Sequence, residues 1–148
     1  MEILIDQWTP FFEELESRVN HDGRRRLLPQ LIGDVYDVTV LNFGPDGLAR
    51  PEEWESLTQR YARERHGGDQ TPTLILTGEL KAGFVVELSD SSATLTNTID
   101  YADLHQFGNS YAKLPARPFY PIDENGNLTP YMEARLYAIV EEHFQILI

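Results

Sequence analysis

The sequence predicts an α+β fold with N-terminal helices, a small antiparallel β-sheet and a closing C-terminal helix. Three observations carry this expectation. Apolar residues recur at three- and four-residue steps as far as Arg65, the period falls to two between Phe84 and Ile99, and the helical step returns from Thr129 onward. A length of 148 residues fits one domain, 1–148, and no repeat, low-complexity tract or linker divides it. A chain of this size buries about 68–70% of its unfolded surface, so its core needs no metal or disulfide to supplement it.

The first helix follows Thr9-Pro10, where Pro takes a position whose missing donor costs nothing. Phe11, Phe12, Leu15 and Val19 form its apolar stripe, leaving Glu13, Glu14, Glu16 and Arg18 to water. The second runs from the Arg24-Arg25-Arg26 cluster to about Phe43, with Leu28, Leu31, Ile32, Val35, Val38 and Leu41 in rhythm. Val38-Thr39-Val40 favours a strand by propensity, so the helix rests there on period alone. Gly44-Pro45-Asp46-Gly47 is a loop, and a third helix is expected from Pro51 to about Arg65. Pro51 sits in its first turn, Glu52 and Glu53 lie at its positive dipole end, and Trp54, Leu57 and Tyr61 share one face.

Beyond a loop from His66 to Thr73, Phe84, Val86 and Leu88 alternate with Val85, Glu87 and Ser89. Ser89-Asp90-Ser91-Ser92 has turn chemistry and Ala93–Ile99 alternates again, so the pair is a β-hairpin. A short helix or turn from Asp100 to Phe107 closes on Gly108-Asn109, and a Pro-punctuated extended piece spans Leu114 to Ile122. Asp123–Asn127 is a turn. The last helix starts near Thr129-Pro130 and carries Met132, Leu136, Ile139, Val140 and Phe144 inward.

Composition narrows the function classes. Twelve Lys+Arg against 24 Asp+Glu give a net charge of −12, which argues against a surface built to grip nucleic acid or anionic lipid. With no cysteine, disulfides, thiolate metal sites and thiol catalysis are excluded. A 41% hydrophobic, 11% aromatic chain is too apolar to stay disordered. The acid-flanked start Met1-Glu2-Ile3-Leu4-Ile5-Asp6 is no secretion signal, and no apolar run approaches the ~20 residues that cross a bilayer, so a cytoplasmic protein without membrane contact is expected.

Little in the sequence points to catalysis. Asp100, Asp103 and His105 form the best metal-like cluster, yet on a helix the two aspartates share a face that His105 does not. A metal-dependent hydrolase on these three is the remote alternative. His21, His66 and His143 lack a histidine four residues away, Ser56 and Thr77 lack a nucleophile-elbow context, and no glycine loop is followed by Lys-Ser/Thr. No catalytic, cofactor or metal site is expected. The Arg24, Arg25 and Arg26 run is the one concentrated positive patch; it reads as a contact for DNA or for an acidic partner, or as a solvated helix start, although three cations at a helix's positive end are locally unfavourable. A small protein-binding or regulatory module docking through them is the second reading.

Two segments go further. Phe43-Gly44-Pro45-Asp46-Gly47-Leu48-Ala49-Arg50-Pro51-Glu52-Glu53-Trp54-Glu55-Ser56-Leu57-Thr58, followed by Leu74-Ile75-Leu76-Thr77-Gly78-Glu79-Leu80, resembles the phage virion morphogenesis family, the tail-completion proteins of Mu-like tailed phages. The second hallmark is Ile99-Asp100-Tyr101-Ala102-Asp103-Leu104-His105-Gln106-Phe107-Gly108 with Leu114-Pro115-Ala116-Arg117-Pro118-Phe119. Order and spacing match from about residue 30 to the end.

The resemblance implies a non-enzymatic virion part at the neck or tail end. It would complete the tail or join it to the head as a homo-oligomeric ring, with a hexamer as the implied count. The implied partners are further copies of itself and the connector, tail-tube or sheath proteins, with DNA passing nearby but not held tightly. It would be made in the host cytoplasm and end in the virion, without a cofactor. The motif residues Trp54, Thr77, Gly78, Leu80, Tyr101, His105, Gln106, Gly108, Pro115, Arg117, Pro118 and Phe119 then make sense as scaffold or interface. Gly78 and Gly108 supply backbone conformations closed to other residues, His105 and Gln106 anchor the loop, and Arg117 forks two hydrogen bonds to a carboxylate. The apolar Ile146-Leu147-Ile148 end is a candidate contact between copies.

Overall fold

The computed structural model describes residues 2–4, 21–44, 47, 49–58, 60, 63–64, 78–90 and 92–147, without the side chains of 2–4, 21, 22, 24 and 144–147. The elements are β1 (Glu2–Leu4), α1 (His21–Leu41), α2 (Glu79–Ala82), β2 (Phe84–Leu88), β3 (Ala93–Asn97), α3 (Ala102–Phe107) and α4 (Pro130–Leu147). The expected first helix, Thr77 and Tyr61 lie outside the described residues.

The 21-residue α1 is the element on which both the sheet and α4 pack. Leu27, Leu28, Leu31, Ile32, Val35 and Val38 are each no more than 1% exposed, as a helical period through the apolar positions demands. The same turn of the helix carries that stripe on to Asn42 and Phe43, so Leu41 faces solvent. Period also overrides propensity at Val38-Thr39-Val40. The Thr39 hydroxyl donates to the Val35 carbonyl at 2.7 Å, which satisfies a buried polar group within the helix. Pro29 removes a donor from the helix interior on its solvent side, where both Pro29 and Arg25 are exposed and the unpaired carbonyl is open to water.

The sheet has order β1-β3-β2, all antiparallel. The hairpin forms as the alternation predicts, with Phe84 opposite Asn97, Val86 opposite Leu95 and Leu88 opposite Ala93. β1 adds a third strand that the sequence reading did not include, Ile3 pairing with Leu95. Central β3 buries Ala93 and Leu95 completely, whereas edge strand β2 buries only Phe84 and leaves Val86 and Leu88 37% and 52% exposed.

Opposite the sheet, α4 inserts Met132, Leu136 and Val140 against α1, and Arg135 makes a two-pronged ion pair with Asp34 at 2.8 and 2.5 Å. Its start follows a tight turn. Ile122 bridges Leu128, Gly126 takes φ 82°, and the Asp123 carboxylate accepts the amides of Asn125 and Asn127, both at 2.9 Å.

The expected helix from Pro51 to Arg65 is not formed as such. Residues 51–58 have no regular structure, and helical backbone is described only at 60, 63 and 64. The acids and Pro51 suit a helix start, but the carbonyls of Glu55 and Ser56 are bonded by a side chain from elsewhere in the chain. In a helix those carbonyls would accept the amides four residues further on, so long-range contacts override the local signal.

Candidate functional site

The Pro-punctuated segment 115–121 is buried without belonging to a sheet, and the reason is visible donor by donor. Pro115, Pro118 and Pro121 bring no amide that needs a partner. The Arg117 amide donates to the His105 carbonyl at 2.7 Å, and the amides of Phe119 and Tyr120 both donate to Oε1 of Gln106 at 3.0 and 3.2 Å. In return the Pro118 carbonyl accepts Nε1 of Trp54 at 2.8 Å, and the Phe119 carbonyl accepts Nδ2 of Asn42 at 2.9 Å. Side chains from α1, α3 and segment 50–57 thus replace a strand partner.

Arg117 completes the lock. It is 5% exposed, and its Nε and Nη2 donate to the carbonyls of Glu55 and Ser56 at 2.7 and 3.2 Å. The sequence reading gave this fork a carboxylate; the acceptors are main-chain carbonyls of segment 50–57, because that segment is irregular and has carbonyls to offer. The fork therefore staples one motif segment to the other inside the chain.

Around this junction the aromatic rings close the core. Phe119 packs on Phe43, Phe84 and Tyr120 with centroids 5.4, 5.7 and 4.8 Å apart, and Trp54 meets Phe43 edge to face at 6.0 Å. Trp54 is half-buried, and the Arg50 guanidinium lies 3.7 Å from its ring centroid. That guanidinium also donates to the Asn42 and Gly44 carbonyls, and burial lowers its pKa.

Gly108 ends α3 at φ 75°, ψ 175°, with Ala116 so close that a Cβ would sit 2.7 Å from its nitrogen. Gly78 takes φ 84° ahead of α2, whose Leu80 is buried. Pro115 is half-buried and Tyr101 is exposed, its hydroxyl 3.3 Å from Glu79. His105 is half-buried, packed edge-on to Tyr101, and held below its ordinary pKa by burial and by the Arg117 charge. Its Nδ1 is buried without a hydrogen-bond partner among the described residues.

Asp100, Asp103 and His105 do not converge, and among the described residues no group of three or more metal-capable side chains does. Arg25 lies 3.9 Å from Asp90 with both side chains well exposed, and Arg26 is exposed beside it. Asn42 and Arg50 were not singled out from sequence. The phase of the α1 stripe points inward at Asn42; Arg50, next to Pro51, carries no signal of its own.

Beside the junction, Glu52, Phe107, Pro118, Ile122, Asp123 and Glu124 line a groove of about 450 Å³. Its lining mixes apolar Phe107, Pro118 and Ile122 with the carboxylates and with polar Gln106 and Asn125. Hydrogen bonds from the Asn127 and Asn125 amides hold the Asp123 carboxyl below the usual carboxylate range. No helix among the described residues is long and apolar enough to cross a membrane. Compared with known protein families, curated proteins and solved structures, the chain matches none.

Proposed function

We propose that this chain is a structural protein of a phage neck or tail end, working as a ring of identical copies that completes the tail, joins it to the head, or both. One observation carries the reading. The two segments that bear the resemblance are the same two that Trp54, Gln106 and Arg117 tie into a single buried junction. Trp54, Gln106 and Arg117 used this way shape a scaffold. The family resemblance supplies the ring, the hexamer and the neck partners, and the net charge of −12 suits a part past which DNA must travel without being held.

The test is electron microscopy of particles made by a phage carrying an early stop codon in this gene. Full-length tails beside filled, unattached heads are the result expected of joining or completion, and overlong tails that of length termination. Normal infectious virions would overturn the proposal.

A further inference from the structure

The two ends of α1 carry opposite chemistry. At its N-terminal end Arg25 and Arg26 are exposed, and the Arg25–Asp90 approach places them beside the end of β2, where Leu88 is 52% exposed. This is a basic patch with an apolar neighbour. At its C-terminal end Asn42 bonds the Phe119 carbonyl, and next to that contact lies the groove with Phe107, 60% exposed, on its wall and Glu52, Asp123 and Glu124 on its rim. This is an acidic patch with apolar Phe107, Pro118 and Ile122 beside it.

From Arg25 to Leu41 the helix spans about 24 Å, at about 1.5 Å per residue. No side chain reaches from one patch to the other within a copy. Two copies meet the requirement when one is stacked end to end on the next. Copies that each carry a net charge of −12 repel overall, so the places where the sign reverses fix the register in which they touch. Two cations are chain neighbours of the groove lining: Arg50, beside Pro51, has its guanidinium on Trp54 and on the Asn42 and Gly44 carbonyls, and Arg117, between Ala116 and Pro118, has its own on the Glu55 and Ser56 carbonyls. The Arg25–Asp90 approach at 3.9 Å, between two well-exposed side chains, is screened by water and offers a weak competitor.

We infer that the chain associates head to tail, the Arg25, Arg26 and Leu88 end of one copy seating in the Phe107 groove of the next. Such a contact uses different surfaces on its two sides, and repeated with a closing rotation it makes a ring. The inference deepens the ring proposal and rests on it for the presence of identical neighbours.

The experiment is sedimentation velocity on the full chain over a wide concentration range. The samples are wild type, Arg25→Glu/Arg26→Glu, Glu52→Lys/Glu124→Lys and the fourfold variant; all four side chains are exposed, and circular dichroism checks that each variant folds. Asp123 is left intact because it builds the turn. The expected result is self-association of the wild type, weakened at least about tenfold by either reversal and restored in the fourfold variant, where the charges match again with signs exchanged. Self-association indifferent to both reversals overturns this docking while leaving a ring built through other surfaces. A wild type that stays monomeric at every concentration also overturns it, and the stop-codon phage then decides the neck proposal independently. A rescued association that stops at a dimer, in which both copies pair reciprocally, overturns the head-to-tail arrangement and counts against the ring.

Discussion

At Gly108, φ 75° and ψ 175° lie in a region that only glycine adopts freely, and an added Cβ would also press on the Ala116 nitrogen at 2.7 Å. Gly108→Ala meets both penalties, and a loss of about 3 kcal/mol or more in urea unfolding is expected. Gly78, at φ 84° but with open space around it, meets only the backbone penalty. That sets the expected loss for Gly78→Ala at about 1–2 kcal/mol. Gly33 sits inside α1 with nothing within 4 Å of an added Cβ. Gly33→Ala should therefore gain up to about 1 kcal/mol. A Gly108→Ala variant as stable as wild type would contradict the packing of Gly108 on Ala116. His105 adds a pH dependence. Its folded pKa is depressed by burial and by Arg117, so the unfolded state binds the proton more readily. Stability is therefore full above imidazole's ordinary value of about 6.5 and falls as pH drops below it toward the folded value. His105→Gln should flatten the slope just below about pH 6.5 in unfolding curves, and an unchanged slope would remove His105 as its source. At this scale the sequence was informative where one residue type has one use. Gly78 and Gly108, singled out by the motif resemblance for conformations closed to other residues, take positive φ, and Gln106, singled out with them as a polar anchor, is buried on the Phe119 and Tyr120 amides. The partners of Arg117 did not follow from residue identity, since a guanidinium accepts any well-placed oxygen as its acceptor and the oxygens it meets belong to a segment far away in sequence.

Between elements, the Asp34–Arg135 pair is the one described ion pair joining α1 to α4, with side chains 14% and 41% exposed. A double-mutant cycle with Asp34→Ala and Arg135→Ala should give a coupling of about 1 kcal/mol, reduced by salt because the arginine is partly in water. A coupling indistinguishable from zero would mean that α4 is held on α1 by Met132, Leu136 and Val140 alone. The elements that periodicity identified, α1, the β2–β3 hairpin and α4, are those whose buried apolar residues gather in one shared core. The expected helix at Pro51 failed for the complementary reason. Trp54 and Leu57 do turn toward the interior, but they do so from irregular chain whose carbonyls are taken by Arg117. A three-residue run such as Glu2–Leu4 has no period long enough to detect, and only pairing with β3 makes it a strand. The junction itself was legible as a set of residues and illegible as a contact, because its donors and acceptors come from α1, α3 and two irregular segments.

The whole molecule combines a net charge of −12 with a basic patch at one end of α1. For duplex DNA the sum matters more than the patch. Binding that depends on neutralising phosphates gains one released counterion per contact, and a short arginine run flanked by Asp90 provides few such contacts against the repulsion of the remaining surface. Isolated protein should therefore give no gel shift of duplex DNA at about 0.15 M salt, where the screening length is about 8 Å and the acidic field still acts at contact distance. For an acidic neighbour the patch matters more than the sum, since a docked surface a few ångströms away meets the local charges first. The same protein should then ignore DNA yet recognise a second copy through Arg25 and Arg26. A clear DNA shift at that salt, abolished by Arg25→Glu/Arg26→Glu, would reassign the patch to nucleic acid and remove the argument that copies of this chain are its partner.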